Sequence, residues 1–255
     1  MIKAIIVYSD KPVFDFLQKA EQKGLKIIMA SAELGLNLDE VFRKAAYSVD
    51  FHANECLVLT SELEGHKAAR KASMIACGFG SHSEIEQIQA GCDIVLRDIN
   101  EFPDYEDADS FTAVVDSLIR DFYSNTIIGK LLSKAEEVKK NAYAPYSKFK
   151  VGAAIYTENS NIYTGCNVEN ASFGGTICAE RGAAMTAIAS EGKTSFKLIA
   201  IASDAEEPAP PCAICRQFLS EFVDEDTQVY LVSSKSKTLR HHDFATLMPY
   251  SFTEF

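Results

Sequence analysis

The stretch that decides the fold of the second half of the chain is Cys178-Ala179-Glu180-Arg181, followed by Pro211-Cys212-Ala213-Ile214-Cys215-Arg216-Gln217. The Cys-x-x-Cys pair fits within one helical turn, so Cys212 and Cys215 can bind one ion from the start of a helix. Cys178 would join them from a second helix start. Three protein ligands leave one tetrahedral position of a zinc ion open, as in catalytic sites. The spacing therefore predicts catalytic Zn²⁺ bound by Cys178, Cys212 and Cys215.

Glu180 lies two residues after Cys178, too close in sequence to be an ordinary fourth ligand. We expect it to hydrogen-bond a water molecule at the open position and to move its proton. A cysteine-rich zinc site, a non-ligand glutamate and a Pro-Cys-x-x-Cys segment together are the signature of zinc nucleobase deaminases. The alternative is a structural zinc site that a further ligand closes.

Four motifs, taken in order along the chain, resemble the tetrameric type of cytidine deaminase. They are Tyr146-Ser147-Lys148-Phe149-Lys150-Val151-Gly152-Ala153-Ala154, Asn167-Val168-Glu169-Asn170-Ala171 and the two cysteine motifs. The resemblance covers the chain from about Ile127 to its end. It implies zinc-dependent hydrolytic deamination of free cytidine and deoxycytidine to uridine and deoxyuridine, in pyrimidine salvage. It also implies a homotetramer.

The resemblance implies roles for residues that contact the substrate. Asn167 and Glu169, which point the same way from a strand end, would bind the ribose hydroxyls. Phe149 and Ala179 would lie against the substrate. Phe252, near the end of the chain, would stack over the base in the site of a neighbouring subunit, since contacts between bases and aromatic rings are favourable.

The resemblance also implies how the reaction proceeds. Glu180 would take a proton from the attacking water, deliver it to N3 of the pyrimidine and later protonate the departing ammonia. Arg181 and Arg216 would withdraw negative charge from the thiolates. Two alternatives stay open, a deaminase for a cytosine-containing antibiotic of the blasticidin type and a zinc-stabilised binding module without catalysis.

Charge and composition exclude several other classes. The net charge is −11, with 12 basic and 21 acidic residues in positions 1–124 and 13 and 15 in positions 125–255. Neither half has the surplus of lysine and arginine that binds phosphate backbones, so we expect no nucleic-acid partner. No apolar run approaches the ~20 residues of a membrane span, so we expect no membrane partner. Seven cysteines without a disulfide-like framework predict the reducing cytoplasm.

The first half of the chain predicts a separate domain, residues 1–124. Strand and helix patterns alternate there from Ile2–Tyr8 to Asp93–Leu96, which indicates a doubly wound parallel sheet. The order of elements resembles the haloacid dehalogenase-like (HAD-like) phosphatases, whose first strand ends in Asp-x-Asp. Tyr8 holds the position of the first, nucleophilic aspartate and Asp10 that of the second.

Other positions of the HAD-like pattern are only partly kept. Ser31 follows the second strand as the family requires, whereas Thr60-Ser61 replaces the acidic pair that binds Mg²⁺. Gly65, Ala68 and Ala69 keep the outline of that motif. Too few carboxylates remain to hold a hard cation, so the domain is predicted to be non-catalytic.

Residues 125–255 predict a three-layer α/β/α domain with a mixed sheet. A helix is expected from Ile127 to near Asn141, where Pro145 follows. The other predicted helices and strands, in chain order, are Phe149–Tyr156, Ile162–Val168, Cys178–Ala189, Leu198–Ala202, Cys212–Phe222 and Val229–Val232. His241-His242 is assigned to a loop. The four cysteines outside the zinc motif, Cys56, Cys77, Cys92 and Cys166, are assigned to apolar cores.

Overall fold

The computed structural model describes residues 1–31 and 36–253. The chain divides into two compact units, unit 1 (Met1–Phe122) and unit 2 (Tyr123–Phe255). The sequence predicts a boundary two residues later, between 124 and 125. Within the described residues, no helix combines the length and the hydrophobicity that a transmembrane span requires.

Unit 1 alternates strands with helices. Its elements are β1 (Ala4–Tyr8), α1 (Phe14–Gln22), β2 (Lys26–Met29), α2 (Leu38–Tyr47), β3 (Cys56–Thr60), α3 (Leu63–Lys71), β4 (Ile75–Phe79), α4 (Glu84–Gln89), β5 (Ile94–Leu96) and α5 (Ala108–Asn125), within which the division between the units falls. The described strands pair in parallel in the order β2-β1-β3-β4-β5. The predicted doubly wound parallel sheet is therefore confirmed.

Both faces of the sheet in unit 1 are buried, as the interior strand β1 shows. Ile5 and Val7 join one apolar cluster, which includes residues of α1 and α5. Ala4 and Ile6 join a second cluster on the opposite face, which includes residues of α2 and α3. Because successive side chains of a strand point to opposite faces, helices on both sides require the unbroken apolar sequence of β1.

Unit 2 contains a second sheet. Its elements are α6 (Ile127–Lys139), β6 (Val151–Thr157), β7 (Ile162–Cys166), α7 (Ala179–Glu191), β8 (Phe196–Ser203), α8 (Ala213–Leu219), β9 (Val223–Ser233), β10 (Leu239–Asp243) and α9 (Phe244–Leu247). The described strands are ordered β10-β9-β8-β6-β7. Only the β8–β9 pair among them is parallel, which confirms the predicted mixed sheet.

Glycines let the helices of unit 2 approach the sheet closely. A methyl group at Gly152 of β6 would lie 2.7 Å from the backbone nitrogen of Lys139 on α6. On the other face, a methyl group at Gly165 of β7 would lie 2.6 Å from the carbonyl oxygen of Ala179 on α7. Both separations are far below van der Waals contact. The glycine on β7 therefore fixes how close the start of α7 lies to the sheet.

The prediction that His241 and His242 lie in a loop is wrong, because both lie on β10. This strand pairs antiparallel with β9 and stands at the edge of the sheet, with His241 opposite Tyr230. An edge strand has one neighbour, and Leu239-Arg240-His241-His242-Asp243 lacks the β-branched and aromatic residues that indicate a strand. The hydrogen bonds with β9 stabilise the strand although this sequence has a low strand propensity.

Replacing Gly165 by alanine is predicted to destabilise unit 2 by about 1–3 kcal/mol, because the new methyl group must push α7 away from β7. The midpoint of thermal unfolding, followed by circular dichroism, should fall accordingly. Gly174→Ala is the matched control, since no atom beyond its chain neighbours lies within 4 Å of the added methyl group. Equal unfolding midpoints for the two variants would contradict the close approach.

Candidate metal centre and active site

Three sulfur atoms converge in unit 2. Cys178 is the N-cap residue of α7, Cys212 is the N-cap residue of α8, and Cys215 lies in the first turn of α8. Their Sγ atoms all lie within 4.8 Å of one another, with Cys178 and Cys212 separated by 3.9 Å. In the described residues this is the one group of three or more metal-binding side chains so close together. The structure thus brings the three predicted ligands to one point.

The surroundings of the sulfurs favour negative charge. Helix N-termini carry a partial positive charge, and two of them meet here. The Cys215 backbone N–H donates to the Cys212 sulfur at 3.5 Å. A hydrogen bond with Cys215 lowers the pKa of Cys178 to about 5, and the same bond, together with burial, raises the pKa of Cys215. Three cysteine sulfurs this close together at two helix starts form a donor set that fits a thiolate-binding metal such as Zn²⁺.

Glu180 lies at the second position of α7, beside the sulfur cluster. Its side chain is buried, with 5% of its surface exposed. Burial raises the pKa of Glu180 to about 7, and the nearby Cys178 contributes in the same direction. A carboxyl group with this pKa can both accept and donate a proton near neutral pH, as a general acid/base must.

The two arginines that follow the cysteine motifs have different contacts. Arg181 donates from Nη2 to the Thr176 carbonyl at 2.9 Å and to the Cys178 sulfur at 3.8 Å. Arg216 donates from Nε to the Pro211 carbonyl at 2.7 Å and from Nη1 to the Leu247 carbonyl at 2.9 Å. Arg181 thus reaches a thiolate directly, whereas the hydrogen bonds of Arg216 hold the backbone around α8.

Asn167 follows directly after β7 and is buried, with 8% of its surface exposed. Its Oδ1 accepts from the Val151 backbone N–H, and its Nδ2 donates to the Phe149 carbonyl, both at 2.8 Å. An asparagine amide has two donors and two acceptor positions. One donor and one acceptor position hold the start of β6, so one donor and one acceptor position are left for a ligand.

Glu169 lies two residues further along. Its carboxylate accepts hydrogen bonds from the backbone N–H groups of Tyr146 (2.9 Å) and Ser147 (3.2 Å) and from the Ser147 hydroxyl. The hydroxyl bond is the main cause that lowers the pKa of Glu169. Ser147, to which the sequence analysis assigns no role, thus helps to keep Glu169 ionised. In the sequence, only its position in the Tyr146-Ser147-Lys148 motif could have indicated this role.

The remaining predicted substrate contacts differ in exposure. Ala179 is fully buried at the start of α7, Phe149 is 38% exposed, and Phe252 is 60% exposed. The Gly165 contact brings the Ala179 carbonyl next to β7, whose end leads into Asn167. The Phe149 carbonyl is bound by the Asn167 amide. Asn167 thus contacts Phe149 directly, whereas Ala179 contacts β7 at Gly165, two residues before Asn167.

The other four cysteines are separate from this cluster. Cys56, Cys77 and Cys92 are buried in unit 1, as the sequence predicts, and burial raises the pKa of each. The prediction that Cys166 lies in an apolar core is wrong: it ends β7, an edge strand of the sheet, and is only partly buried. None of the seven cysteines forms a disulfide.

Three residues of the HAD-like pattern, Tyr8, Asp10 and Ser31, line a cavity of about 630 Å³ in unit 1. It lies at the carboxyl ends of β1, β2 and β3, where the strand order reverses direction, which is the usual ligand position in such sheets. Ser61 Oγ lies 2.9 Å from Asp10 Oδ1, 2.8 Å from Ser9 Oγ and 3.1 Å from Glu62 Oε1. The HAD-like origin of unit 1 stays a prediction.

A protein-family model matches residues 126–231. Its description is the cytidine and deoxycytidylate deaminase zinc-binding region. The match covers all three cysteines of the cluster and Glu180. Together with the convergence of the three sulfurs, it confirms Zn²⁺ as the cofactor.

Curated relatives and solved structures match the same half of the chain. A cytidine deaminase of Sporosarcina psychrophila is 41% identical over 127 residues, which are 50% of this chain and 92% of that protein. A cytidine deaminase of Halalkalibacterium halodurans is 40% identical over 123 residues, 48% of this chain and 92% of that protein. The crystal structure of cytidine deaminase from Burkholderia pseudomallei has 36% identity and a TM-score of 0.47, covering 50% of this chain and 100% of that chain.

Replacing Cys212 by alanine is predicted to remove zinc from the purified protein. Loss of one of three thiolates leaves two ligands, too few for a stable tetrahedral site. Zinc per chain, measured by plasma mass spectrometry, should fall from about one to near zero. Cys166→Ala is the matched control and should keep its zinc. An unchanged zinc content in Cys212→Ala would contradict the ligand assignment.

Proposed function

Because the chain belongs to the cytidine deaminase family, we propose that unit 2 hydrolyses cytidine and deoxycytidine to uridine and deoxyuridine with release of ammonia. The observation that carries this function is the meeting of Cys178, Cys212 and Cys215 at two helix starts, with the buried carboxyl group of Glu180 beside them. The relatives favour deamination of a nucleoside over the two alternatives, an antibiotic deaminase and a binding module.

The three cysteines hold the metal and the protein compensates their charge. Zinc, when bound there, supplies a Lewis acid that lowers the pKa of water. Three thiolates oppose this effect because their three negative charges exceed the two positive charges of the ion. Two helix N-termini and the Arg181 guanidinium at 3.8 Å from the Cys178 sulfur reduce that charge. Arg181 therefore supports the acidity on which the reaction depends.

Glu180 moves the protons. It accepts one from the attacking water and delivers it to N3 of the pyrimidine as the oxygen adds to C4. It then takes the proton that remains on this oxygen and gives it to the departing amino group, so that the C4 carbonyl forms as ammonia leaves. The bond from C4 to oxygen forms and the bond from C4 to nitrogen breaks, so cytidine and water give uridine and ammonia. A pKa of about 7 lets Glu180 act in both directions without a large energetic cost.

The substrate is held by the group around the end of β7. Asn167 and Glu169 bind the ribose hydroxyls, for which Asn167 keeps one free donor and acceptor and Glu169 keeps its negative charge. Phe149 and Ala179 contact the nucleoside. Its lack of a phosphate group agrees with the acidic chain, whose net charge is −11.

The active unit is a homotetramer in which Phe252 of one copy stacks over the base in another. The exposed apolar side chains of unit 2 provide surface that contacts between copies would bury. In unit 2 they include Tyr143, Tyr146, Val168, Phe173, Met185, Ile214, Tyr250 and Phe252. Seven cysteines without a disulfide favour the reducing cytoplasm, and a free nucleoside as substrate agrees with a role in pyrimidine salvage.

Unit 1 is a non-catalytic domain, which the HAD-like pattern of residues 1–124 suggests. Tyr8 cannot replace the nucleophilic aspartate, and the hydroxyl groups of Thr60 and Ser61 are poor substitutes for magnesium-binding carboxylates. The carboxylate of Asp10, at the position of the family's second aspartate, accepts a hydrogen bond from the Ser61 hydroxyl.

Glu180→Gln is predicted to lower kcat for cytidine by about 10²–10⁴-fold, because the amide cannot transfer the proton. Ammonia release and the loss of cytidine absorbance measure the rate, and zinc content should stay at the wild-type value. Glu221→Gln, the same change at an exposed position, is the matched control and should leave kcat unchanged. Near-normal turnover by Glu180→Gln would refute the role.

The same ammonia assay distinguishes the alternatives. The wild-type protein should release ammonia from cytidine and deoxycytidine faster than from blasticidin S. Preference for blasticidin S would identify an antibiotic deaminase. A zinc-loaded protein that releases ammonia from none of these compounds would identify a binding module.

Unit 1 is predicted to show no phosphatase activity. The full chain, incubated with p-nitrophenyl phosphate and Mg²⁺, should release p-nitrophenol no faster than its Asp10→Asn variant, since the nucleophile is missing. A magnesium-dependent rate that disappears in Asp10→Asn would show that the domain has kept catalysis.

A further inference from the structure

The carboxylate of Glu191, the last residue of α7, accepts hydrogen bonds from four side chains. The donors are the Thr157 hydroxyl (3.2 Å), the side-chain amides of Asn159 (3.0 Å) and Asn161 (2.6 Å), and the Tyr163 hydroxyl (3.1 Å). All four belong to the hairpin that joins β6 to β7, with Thr157 at the end of β6 and Tyr163 on β7. We name these five residues the Glu191 cluster. It connects the C-terminal end of α7 to two strands of the sheet.

The helix itself does not explain the position of Glu191. The C-terminal end of a helix carries partial negative charge, so a carboxylate there is unfavourable. The hydrogen bonds from the hairpin compensate this cost, and they lower the pKa of Glu191 to about 2, with the Asn161 amide as the largest cause. The carboxylate therefore stays ionised throughout the neutral pH range, and the Glu191 cluster stays formed there.

The hairpin between β6 and β7 is itself firmly held. The Glu158 N–H donates to the Ser195 carbonyl, and the Ser195 N–H donates to the Glu158 carboxylate, both at 2.9 Å. Thr157 is fully buried, and its N–H donates to the Asn161 carbonyl at 3.0 Å. The hairpin is thus bound to the segment that follows α7 and closed by its own backbone. A helix end attached to this hairpin cannot shift without breaking several hydrogen bonds.

The apolar contacts of α7 resist movement along its own axis only weakly. Packed helices are held in place where ridges of side chains fit into grooves between other side chains. The apolar residues on the buried face of α7 are all alanines, whose ridges are shallow: Ala179, Ala183, Ala184 and Ala187. The close approach at Gly165 sets the distance between α7 and β7. The position of α7 along its axis needs a further contact, which the Glu191 cluster supplies.

The metal ligand and the proton-transfer residue of α7 lie at the opposite end of the helix. Cys178 is its N-cap residue, and Glu180 lies in its first turn. At a rise of about 1.5 Å per residue, Glu191 lies about 16 Å from Glu180 along the axis. No proline interrupts α7. An axial shift at Glu191 therefore passes along the helix to Glu180 and Cys178.

We propose that Glu191 is a positioning residue that fixes α7 along its axis and thereby sets the positions of Glu180 and Cys178 relative to the two sulfurs of α8. Glu191 is at the far end of the helix from the metal ligands, so it acts through α7. The effect on turnover rests on the proposed deaminase function. The effect on the metal site rests only on Cys178, the N-cap residue of the same helix.

Glu191→Ala should lower kcat for cytidine by about tenfold to hundredfold, since a misplacement of about 1 Å can cost that much in rate. KM should change by less than about threefold, because Glu180 acts in the transition state. Glu191→Gln keeps one oxygen where three of the four donors bind, so its kcat should stay within about threefold of the wild-type value. Glu137→Ala is the matched control, since it removes an exposed carboxylate that pairs with Lys134 on α6.

Tyr163→Phe is a milder variant that keeps the ring and removes the one donor of the Glu191 cluster on β7. Its kcat should fall by about threefold with KM unchanged, because the other three donors still hold Glu191. This variant tests the proposal even where Glu191→Ala does not fold.

Two measurements follow the metal site without catalysis. Zinc release to a coloured chelator should be at least about threefold faster in Glu191→Ala, because the helix that carries Cys178 is held less firmly. Hydrogen exchange, read by mass spectrometry, should be faster along α7 as far as residues 178–182, and not only in its last turn. Zinc per chain before chelation and the midpoint of thermal unfolding show whether the variant is folded.

These measurements separate failure of this proposal from failure of the proposed function. If the wild-type protein does not deaminate cytidine but Glu191→Ala releases zinc faster and exchanges faster at residues 178–182, the deaminase function fails and the positioning of α7 stands. If the wild-type protein is active and Glu191→Ala keeps its kcat, zinc release and exchange at residues 178–182, Glu191 only closes the hairpin and the proposal is wrong. A higher KM at unchanged kcat, or a loss of kcat that Glu191→Gln does not restore, would also overturn it. Where Glu191→Ala does not fold, wild-type kcat and zinc release in Tyr163→Phe would contradict the proposal.

Discussion

The structure depends on gathering three thiolates at one point, which costs electrostatic free energy unless their charge is compensated. Compensation comes from the fold itself. The N-termini of α7 and α8 meet at the cluster, with Cys178 and Cys212 as their N-cap residues, and each helix contributes partial positive charge. Arg181 adds a formal charge at 3.8 Å from one sulfur. The two helices must therefore keep their starts adjacent. The packing of α7 on β7 through Gly165 meets this requirement on one side, and the hydrogen bonds of Arg216 around α8 meet it on the other.

The same packing connects the metal centre to the groups that would bind a nucleoside. The end of β7 leads into Asn167, whose amide fixes the start of β6, and then into Glu169, which orders the Tyr146-Ser147 loop. These groups and the sulfurs are thus positioned by one strand and the helix lying on it. A shift of α7 against β7 would move the metal, the buried Glu180 and the ribose-binding side chains relative to one another. This explains why small residues, glycine on β7 and alanine on α7, form the contact.

Local sequence was informative wherever local interactions decide the structure. The Cys-x-x-Cys spacing placed two ligands in one helical turn, and the alternation of strands and helices gave the parallel sheet of unit 1. Features that depend on distant partners were not accessible. The charge-compensating role of Arg216 stays a prediction, and the sequence did not indicate its hydrogen bonds to the Pro211 and Leu247 carbonyls. His241 and His242 lie on a strand because β9 pairs with them. Glu191 carried no visible role because its hydrogen-bond donors lie 28 to 34 residues before it.

The central claim is that three sulfurs bind one zinc ion and leave its fourth position to solvent. X-ray absorption at the zinc edge on the purified full-length protein tests this directly, because it reports the ligands of the ion itself. The account predicts one zinc per chain, with three sulfur neighbours at about 2.3 Å and one oxygen neighbour at about 2.0 Å. It also predicts that the oxygen signal changes when a pyrimidine transition-state analogue is added. Four sulfur neighbours, or a protein nitrogen in the fourth position that the analogue does not displace, would contradict it.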